Sequence, residues 1–286
     1  MVWFVLKGFF DGQRAVALLA LLFACPVFAT AQESRADAPI PHVMGQSVSP
    51  SFEGWYPNPD GTHSLLFGYF NRNYEEKVDI PVGLNNQFTP GPADRGQPTH
   101  FLPRRQTGMF AVVVPADFEG RLTWSLTAYG ETIAIPGHLR PEWEITALEE
   151  ITSGNTPPVV RVHAVDGDMG QGPGGTHAAW TVPVTRAAAL VVWAVDDGVR
   201  KVRASARPPR FGLVWSKYRG PGAVNFEPPT PDVDSTGQAV TMVTFDEPGE
   251  YMLRVLAWDD SGGQAAIMAG GFFCCWTNAY VTVQVQ

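Results

Sequence analysis

The chain has 286 residues, of which 45% are apolar and 17% charged, and its formal net charge is −8. So low a charge fraction argues against a coiled coil or a charged disordered chain, and the negative balance argues against wholesale binding to nucleic acid. The 29 glycines and 25 prolines, close to a fifth of the chain against roughly an eighth in an average protein, break helices and favour strands joined by turns.

Residues 1–31 read as a secretory signal peptide. Lys7 and Arg14 precede or open an apolar run over residues 15–28, broken by Pro26, and Ala29-Thr30-Ala31 follows with small residues at its first and third positions. A positive flank, a short apolar core and an A-x-A site are the marks of an export signal. The run is shorter than the ~20 residues a bilayer span needs, so no transmembrane span is expected. Leu22-Phe23-Ala24-Cys25 resembles a bacterial lipobox, but Phe23 and Pro26 fit that pattern poorly. A lipid anchor at Cys25 is therefore the less favoured reading. The expected location is secreted, periplasmic or at the cell surface of a bacterium, where disulfides are allowed.

Residues 32–50 are aperiodic and read as a flexible leader. From residue 51 the texture changes to strands, and residues 51–151 are expected to form an N-terminal β-sandwich of no recognised family. Residues 122–128, Leu-Thr-Trp-Ser-Leu-Thr-Ala, alternate with the period of a half-buried strand. Residues 64–71 and 109–114 are apolar and bounded by turn chemistry. Asn58-Pro59-Asp60-Gly61 is a turn signal, and Tyr129-Gly130-Glu131 links residues 122–128 to a further strand at 132–135. Residues 141–151 suit a short helix or an edge strand. Residues 152–158, with Pro157-Pro158, read as a linker.

A second series of strands is expected at 159–164, 178–183, 190–196, 213–217, 239–245, 251–259 and 279–285. Seven short strands over this length suggest an immunoglobulin-like sandwich. The fold class is thus all-β: two consecutive immunoglobulin-like β-sandwich domains after a cleaved signal peptide. In the last strand Val281, Val283 and Val285 face one way and Thr282, Gln284 and Gln286 the other.

Residues 213–226 (LVWSKYRGPGAVNF), 243–259 (VTFDEPGEYMLRVLAWD) and the closing 280–285 (YVTVQV) resemble PKD-like bacterial extracellular modules, and Val195-Asp196-Asp197-Gly198 sits where that family often carries a DDG turn. The resemblance covers residues 160–286. The Pro248-Gly249-Glu250-Tyr251 corner is its most specific part: Gly249 permits a backbone reversal, and Tyr251 can return its hydroxyl to nearby backbone, as in the tyrosine corner of sandwiches. The resemblance implies a non-catalytic sandwich used as a spacer, adhesion or binding module. Residues 199–211 and 262–273 depart from the family as insertions, and its ligands do not carry over.

Several features could carry chemistry. Cys274 and Cys275 are adjacent. A vicinal disulfide is favoured over free thiols or an intermolecular bond, although neighbouring Cα atoms ~3.8 Å apart sit below the usual ~4.4–6.8 Å disulfide range. If the final strand's alternation extends back, Cys275 faces the core and Cys274 faces outward. Asp166, Asp168, Asp196 and Asp197 lie near strand ends, where converging loops could supply the oxygens calcium wants; aspartate is equally a turn former. Calcium apart, no cofactor is expected. Arg200, Lys201 and Arg203 lead a basic cluster that could grip an anionic surface polymer. Trp55 and Tyr56, beside Asn58 and Asp60, could stack on sugar rings, or pack in a core as aromatics usually do. The six histidines make no HxH or HExxH spacing, and no G-x-S-x-G elbow occurs, so catalysis is not expected. The sequence points to a secreted or cell-envelope binding and structural module with an extracellular or cell-surface polymer as partner. The alternatives are a carbohydrate-binding accessory protein of an extracellular polysaccharide system, or a self-assembling surface protein.

Overall fold

Alternation along the chain becomes alternation of burial. In the computed structural model, which describes residues 42–151, 153–163, 167–184, 186–199, 211–259 and 274–286, the strand at Leu122–Ala128 buries Leu122, Trp124, Leu126 and Ala128 and half-exposes the threonines and serine between them. Eight strands form the first half: β1 (Val48–Pro57), β2 (His63–Asn71), β3 (Val78–Asp79), β4 (Asn86–Thr89), β5 (His100–Phe101), β6 (Arg104–Val114), β7 (Leu122–Ala128) and β8 (Glu131–Gly137). β1, β2 and β6 make one antiparallel sheet; β4, β7 and β8 make the other. Between them Phe67, Phe88, Phe110 and Trp124 pack ring against ring at centroid distances of 5.1–6.1 Å. Tyr129-Gly130 joins β7 to β8 with φ of 52° and 78°, the two positive values of a type I′ hairpin turn. β1 opens at Val48, inside the stretch expected to be leader, and residues 141–143 form a single 3-10 turn.

The second half contains β9 (Val159–Val162), β10 (Gly170–Gln171), β11 (Thr176–Val182), β12 (Ala188–Val195), β13 (Gly212–Arg219), β14 (Val224–Glu227), β15 (Gln238–Phe245), β16 (Gly249–Trp258) and β17 (Trp276–Val285). One sheet runs β10-β9-β12-β15-β14, the other β11-β17-β16-β13, with β11 parallel to β17. Taking β9, β12, β13, β14, β15, β16 and β17 as strands A to G, the sheets are ABED and CFG, the wiring of immunoglobulin-type sandwiches. The first half repeats it without a strand D: β1, β2 and β6 stand as A, B and E, and β4, β7 and β8 as C, F and G. Both halves are immunoglobulin-type, and the chain is all-β among its described residues apart from that 3-10 turn.

Leu253, Val255, Val281 and Val283 are fully buried in the second core. The tyrosine corner is formed: the Tyr251 hydroxyl donates to Glu247 O at 2.9 Å and accepts from Gly222 N at 3.1 Å. Tyr251→Phe strips both backbone groups of their partner, at a cost of about 1–2 kcal/mol. A urea midpoint unchanged from wild type would contradict this.

Residues 41–286 form one compact unit. The outer face of β13-β16-β17 lies on the outer face of β2-β6, where Leu66, Leu256 and Trp276 cluster with Ala111, Ile145, Val214 and Trp258. Tyr218 and Tyr280 of the second half join the first half's core. Polar groups knit the same interface. Asn278 Nδ2 donates to Gly108 O at 2.8 Å and Pro173 O at 2.9 Å, and the Tyr280 hydroxyl to Met109 O at 2.6 Å. Tyr218 Oη donates to Gly96 O at 2.6 Å, and Arg219 grips Asp94 with two bonds of 2.9 and 2.7 Å. The connection between halves is held too: Asn155 is fully buried, and Thr277 donates to Pro158 O. Among the described residues no helix is long and apolar enough to cross a membrane.

Candidate functional site

Where the two sandwiches meet, a cleft of about 730 Å³ opens between the β3–β5 edge and the β13–β14 side of the second half. That size lies within the usual range for small-ligand sites. Its most buried charged group is Arg254, on the outward face of β16, where the alternation that buries Leu253 and Val255 in the second core turns residue 254 toward the first half. Arg254 is 4% exposed. Its Nε and Nη2 donate to Asn278 Oδ1 at 3.0 and 2.6 Å, and Asn278 is itself fixed by its two interface carbonyls. Burial raises the pKa of Tyr69, Tyr218 and Tyr280, the last to about 12, while the Arg254 charge beside all three works the other way.

The cleft wall carries a small ionic chain. Asp79 Oδ1 lies 2.7 Å from His100 Nδ1 and 3.7 Å from Lys217 Nζ. Partial burial alone would raise the Asp79 pKa, but the hydrogen bond and charge of His100, with Lys217, hold it below the ordinary carboxylate value. Lys217 Nζ also donates to Gly222 O at 2.8 Å. Ser216 Oγ, also at the cleft, donates to Arg254 O at 3.4 Å. The hydroxyl is thus directed at backbone. At the rim Trp215 lies parallel to Phe226, with 6.2 Å between ring centroids. Trp215 is 3% exposed, and its Nε1 finds no hydrogen-bond acceptor among the described residues.

The residues singled out from sequence fall elsewhere. Trp55 and Tyr56 do not form a sugar-stacking platform: they are 9% and 4% exposed. Trp55 Nε1 donates to Arg140 O at 2.8 Å, and Tyr56 lies beside Gly174 of the second half. The reason is that β1 and its connections are covered on both faces, a condition local sequence does not report. Arg200, Lys201, Arg203, Asp166 and Cys25 lie outside the described residues. Asp168 is exposed. The Asp197 carboxylate is spent on turns, accepting from Thr156 N at 2.9 Å, Thr156 Oγ1 at 2.8 Å and Val199 N at 2.8 Å. Asp196 is pushed up to about 6 by burial and by the carboxylates of Asp259 and Asp197. Among the described residues no three His, Cys, Asp or Glu side chains converge to hold a metal ion. Cys274 and Cys275 are joined in a disulfide. Both are buried, at 4% and 0%, so Cys274 does not face outward; Cys275 Sγ lies 3.3 Å from Asn155 O.

A second acidic group was missed altogether. A bulge between Phe52 and Gly54 in β1 turns Glu53 onto the sheet's outer face, opposite a bulge between β2 and β6. Its Oε2 accepts from Gly108 N at 2.6 Å; its Oε1 accepts from Arg105 Nη2 at 2.8 Å and Ser51 Oγ at 3.0 Å. Burial nonetheless dominates and raises its pKa to about 7, against the lowering by Arg105, Gly108 and Ser51. The signal in sequence is a lone acid in the apolar run Phe52-Glu53-Gly54-Trp55-Tyr56, which nothing local distinguishes from a solvated residue.

No family model and no curated protein matches the chain. Among solved structures it is similar to a nucleoside hydrolase-related hypothetical protein from Saccharophagus degradans that is associated with carbohydrate metabolism, at 14% identity over 46% of this chain and 26% of that one, with a TM-score of 0.27. The chain therefore spans about a quarter of that structure's length. It is also similar to the D0-D1 domain of intimin, at 11% identity over 84% of this chain and 98% of that one, TM-score 0.23. Domains 4 and 5 of the S-layer protein SbsC match at 12% identity over 84% and 98% of the two chains, TM-score 0.22. The immunoglobulin-type assignment rests on the strand wiring of the chain itself.

Proposed function

We propose that this chain is an exported, non-enzymatic binding and structural module of the bacterial cell envelope or its surroundings, with a PKD-like second half. The observation that carries the reading is the joint between the halves. Two immunoglobulin-type sandwiches bury apolar side chains and a hydrogen-bonded polar network against each other, so they move as one stiff body and present the junction cleft at a fixed geometry. Sites held on a rigid scaffold keep their binding groups pre-organised. The signal-like residues 1–31 and the disulfide at Cys274–Cys275 support an extracytoplasmic, oxidising location. The Pro248-Gly249-Glu250-Tyr251 corner with its formed tyrosine hydrogen bonds supports the PKD-like reading. Along the cleft wall Asp79, His100 and Lys217 are engaged with one another and with backbone, which holds that wall in place.

Two measurements test this. Fractionation of expressing cells is expected to recover the protein in the envelope or the medium; recovery in the cytoplasm would overturn the exported reading. Calorimetry of purified protein is expected to show a single cooperative unfolding transition, since each half's folded face is the other's packing partner. Two well-separated transitions would overturn the stiff-body reading.

A further inference from the structure

We propose that the junction cleft is an anion site that takes a sugar acid, with the carboxylate of the sugar bound by Arg254. The inference rests on the binding-module reading and names the ligand class of its cleft. A guanidinium brings five N–H donors, and Asn278 engages two of them. Among the described residues no carboxylate comes within ion-pair distance of Arg254, although it is only 4% exposed. A buried cation held only by neutral groups, the Asn278 amide and the Tyr280 hydroxyl, is costly, and proteins supply such groups with a counter-charge. Arg254 lines the cleft, so the counter-charge arrives with a ligand. A carboxylate matches the planar fork of a guanidinium.

The other walls say what carries that carboxylate. Asn225, Gln106 and Ser216 line the cleft beside Phe226 and Pro229. Amides and a hydroxyl suit the hydroxyl groups of a sugar, and a partly exposed ring beside a proline suits its apolar face. Lys217 is already tied to Asp79 and Gly222 O, and Lys77, the other lysine of the lining, is exposed to water, which leaves Arg254 as the buried cation that reads the acid. On a chain of net charge −8 such a ligand gains nothing from long-range steering. Its recognition is local, and its dependence on salt is weaker than that of a basic surface patch.

The test is calorimetric titration of the full chain with oligomers of a uronic acid, the uronic acid monomer, and a neutral glucan oligomer of equal length. The acidic oligomer is expected to bind and the neutral one to bind at least tenfold more weakly. The monomer arm separates a free sugar acid from a polymer as the source. Arg254→Met is expected to weaken the acidic oligomer by about 10- to 100-fold, the worth of a charge-assisted pair, and to leave the neutral oligomer unchanged. Asn225→Ala, at the cleft rim and outside both cores, is expected to weaken the acidic oligomer by about three- to tenfold; it decides the matter should Arg254→Met fail to fold. Equal affinity for acidic and neutral oligomers, undiminished binding by a folded Arg254→Met, or no binding of the acidic oligomer by wild type would each overturn the inference. None of these results touches the fractionation result, so the module reading stands or falls separately.

Discussion

Gly108→Val is expected to be among the most destabilising single substitutions in this protein, costing about 3–5 kcal/mol, the sum of a backbone and a packing penalty. Gly108 sits at φ +59°, in the left-handed region, where a β-branched residue is strained. A Cβ built there would meet Trp276 Cζ2 at 2.2 Å, and Trp276 is fully buried at the joint between the sandwiches. The same residue donates its N–H to Glu53 and accepts from Asn278, so moving the backbone aside breaks both bonds. The expected readout is a large drop in the urea midpoint, with a lower m-value if the halves come apart before they unfold. A midpoint within error of wild type would show that the joint is looser than its packing implies.

Glu53→Gln is expected to change how stability varies with pH. The folded-state pKa of Glu53 is raised from 4.5 to about 7. A carboxyl raised on folding binds its proton more tightly in the native state than in the unfolded chain. Its contribution is fully present below pH ~4.5 and is lost as pH rises toward ~7, by about 3 kcal/mol in all. The glutamine amide cannot ionise, so it keeps a neutral group of the same shape at every pH. Urea unfolding of wild type and variant at pH 4.5, 6 and 8 is expected to show the difference moving in favour of the variant as pH rises, then levelling above pH 7. Parallel pH profiles would sink the prediction. The comparison isolates Glu53 from Asp196, whose raised pKa acts equally in both proteins.

Strand texture was legible wherever one face of a strand meets a core and the other meets water. β7 is the clearest instance, and the Val281, Val283 and Val285 face of β17 is another. The tyrosine corner was legible because one of its partners, Glu247 O, lies four residues away along the chain; the other, Gly222 N, lies 29 residues away and came only with the fold. β1 was harder to read. Its Trp55 and Tyr56 suggested an exposed platform, yet their burial depends on Arg140 and Gly174, far away in sequence. β2 is buried along nearly its whole length because it packs toward both its own core and the second sandwich.

The amino-acid sequence by itself determined the strand-and-turn character of this protein, the alternation of its half-buried strands and the corner at Tyr251, because each follows from neighbours a few positions apart. Only the tertiary structure decided that Arg254 lies in a cleft, that Glu53 is buried at a bulge and that Gly108 must lack a side chain. Each of those depends on one sheet's outer face meeting another, and burial, with the electrostatics that follow from it, is set by contacts between residues roughly fifty to 170 positions apart in the chain.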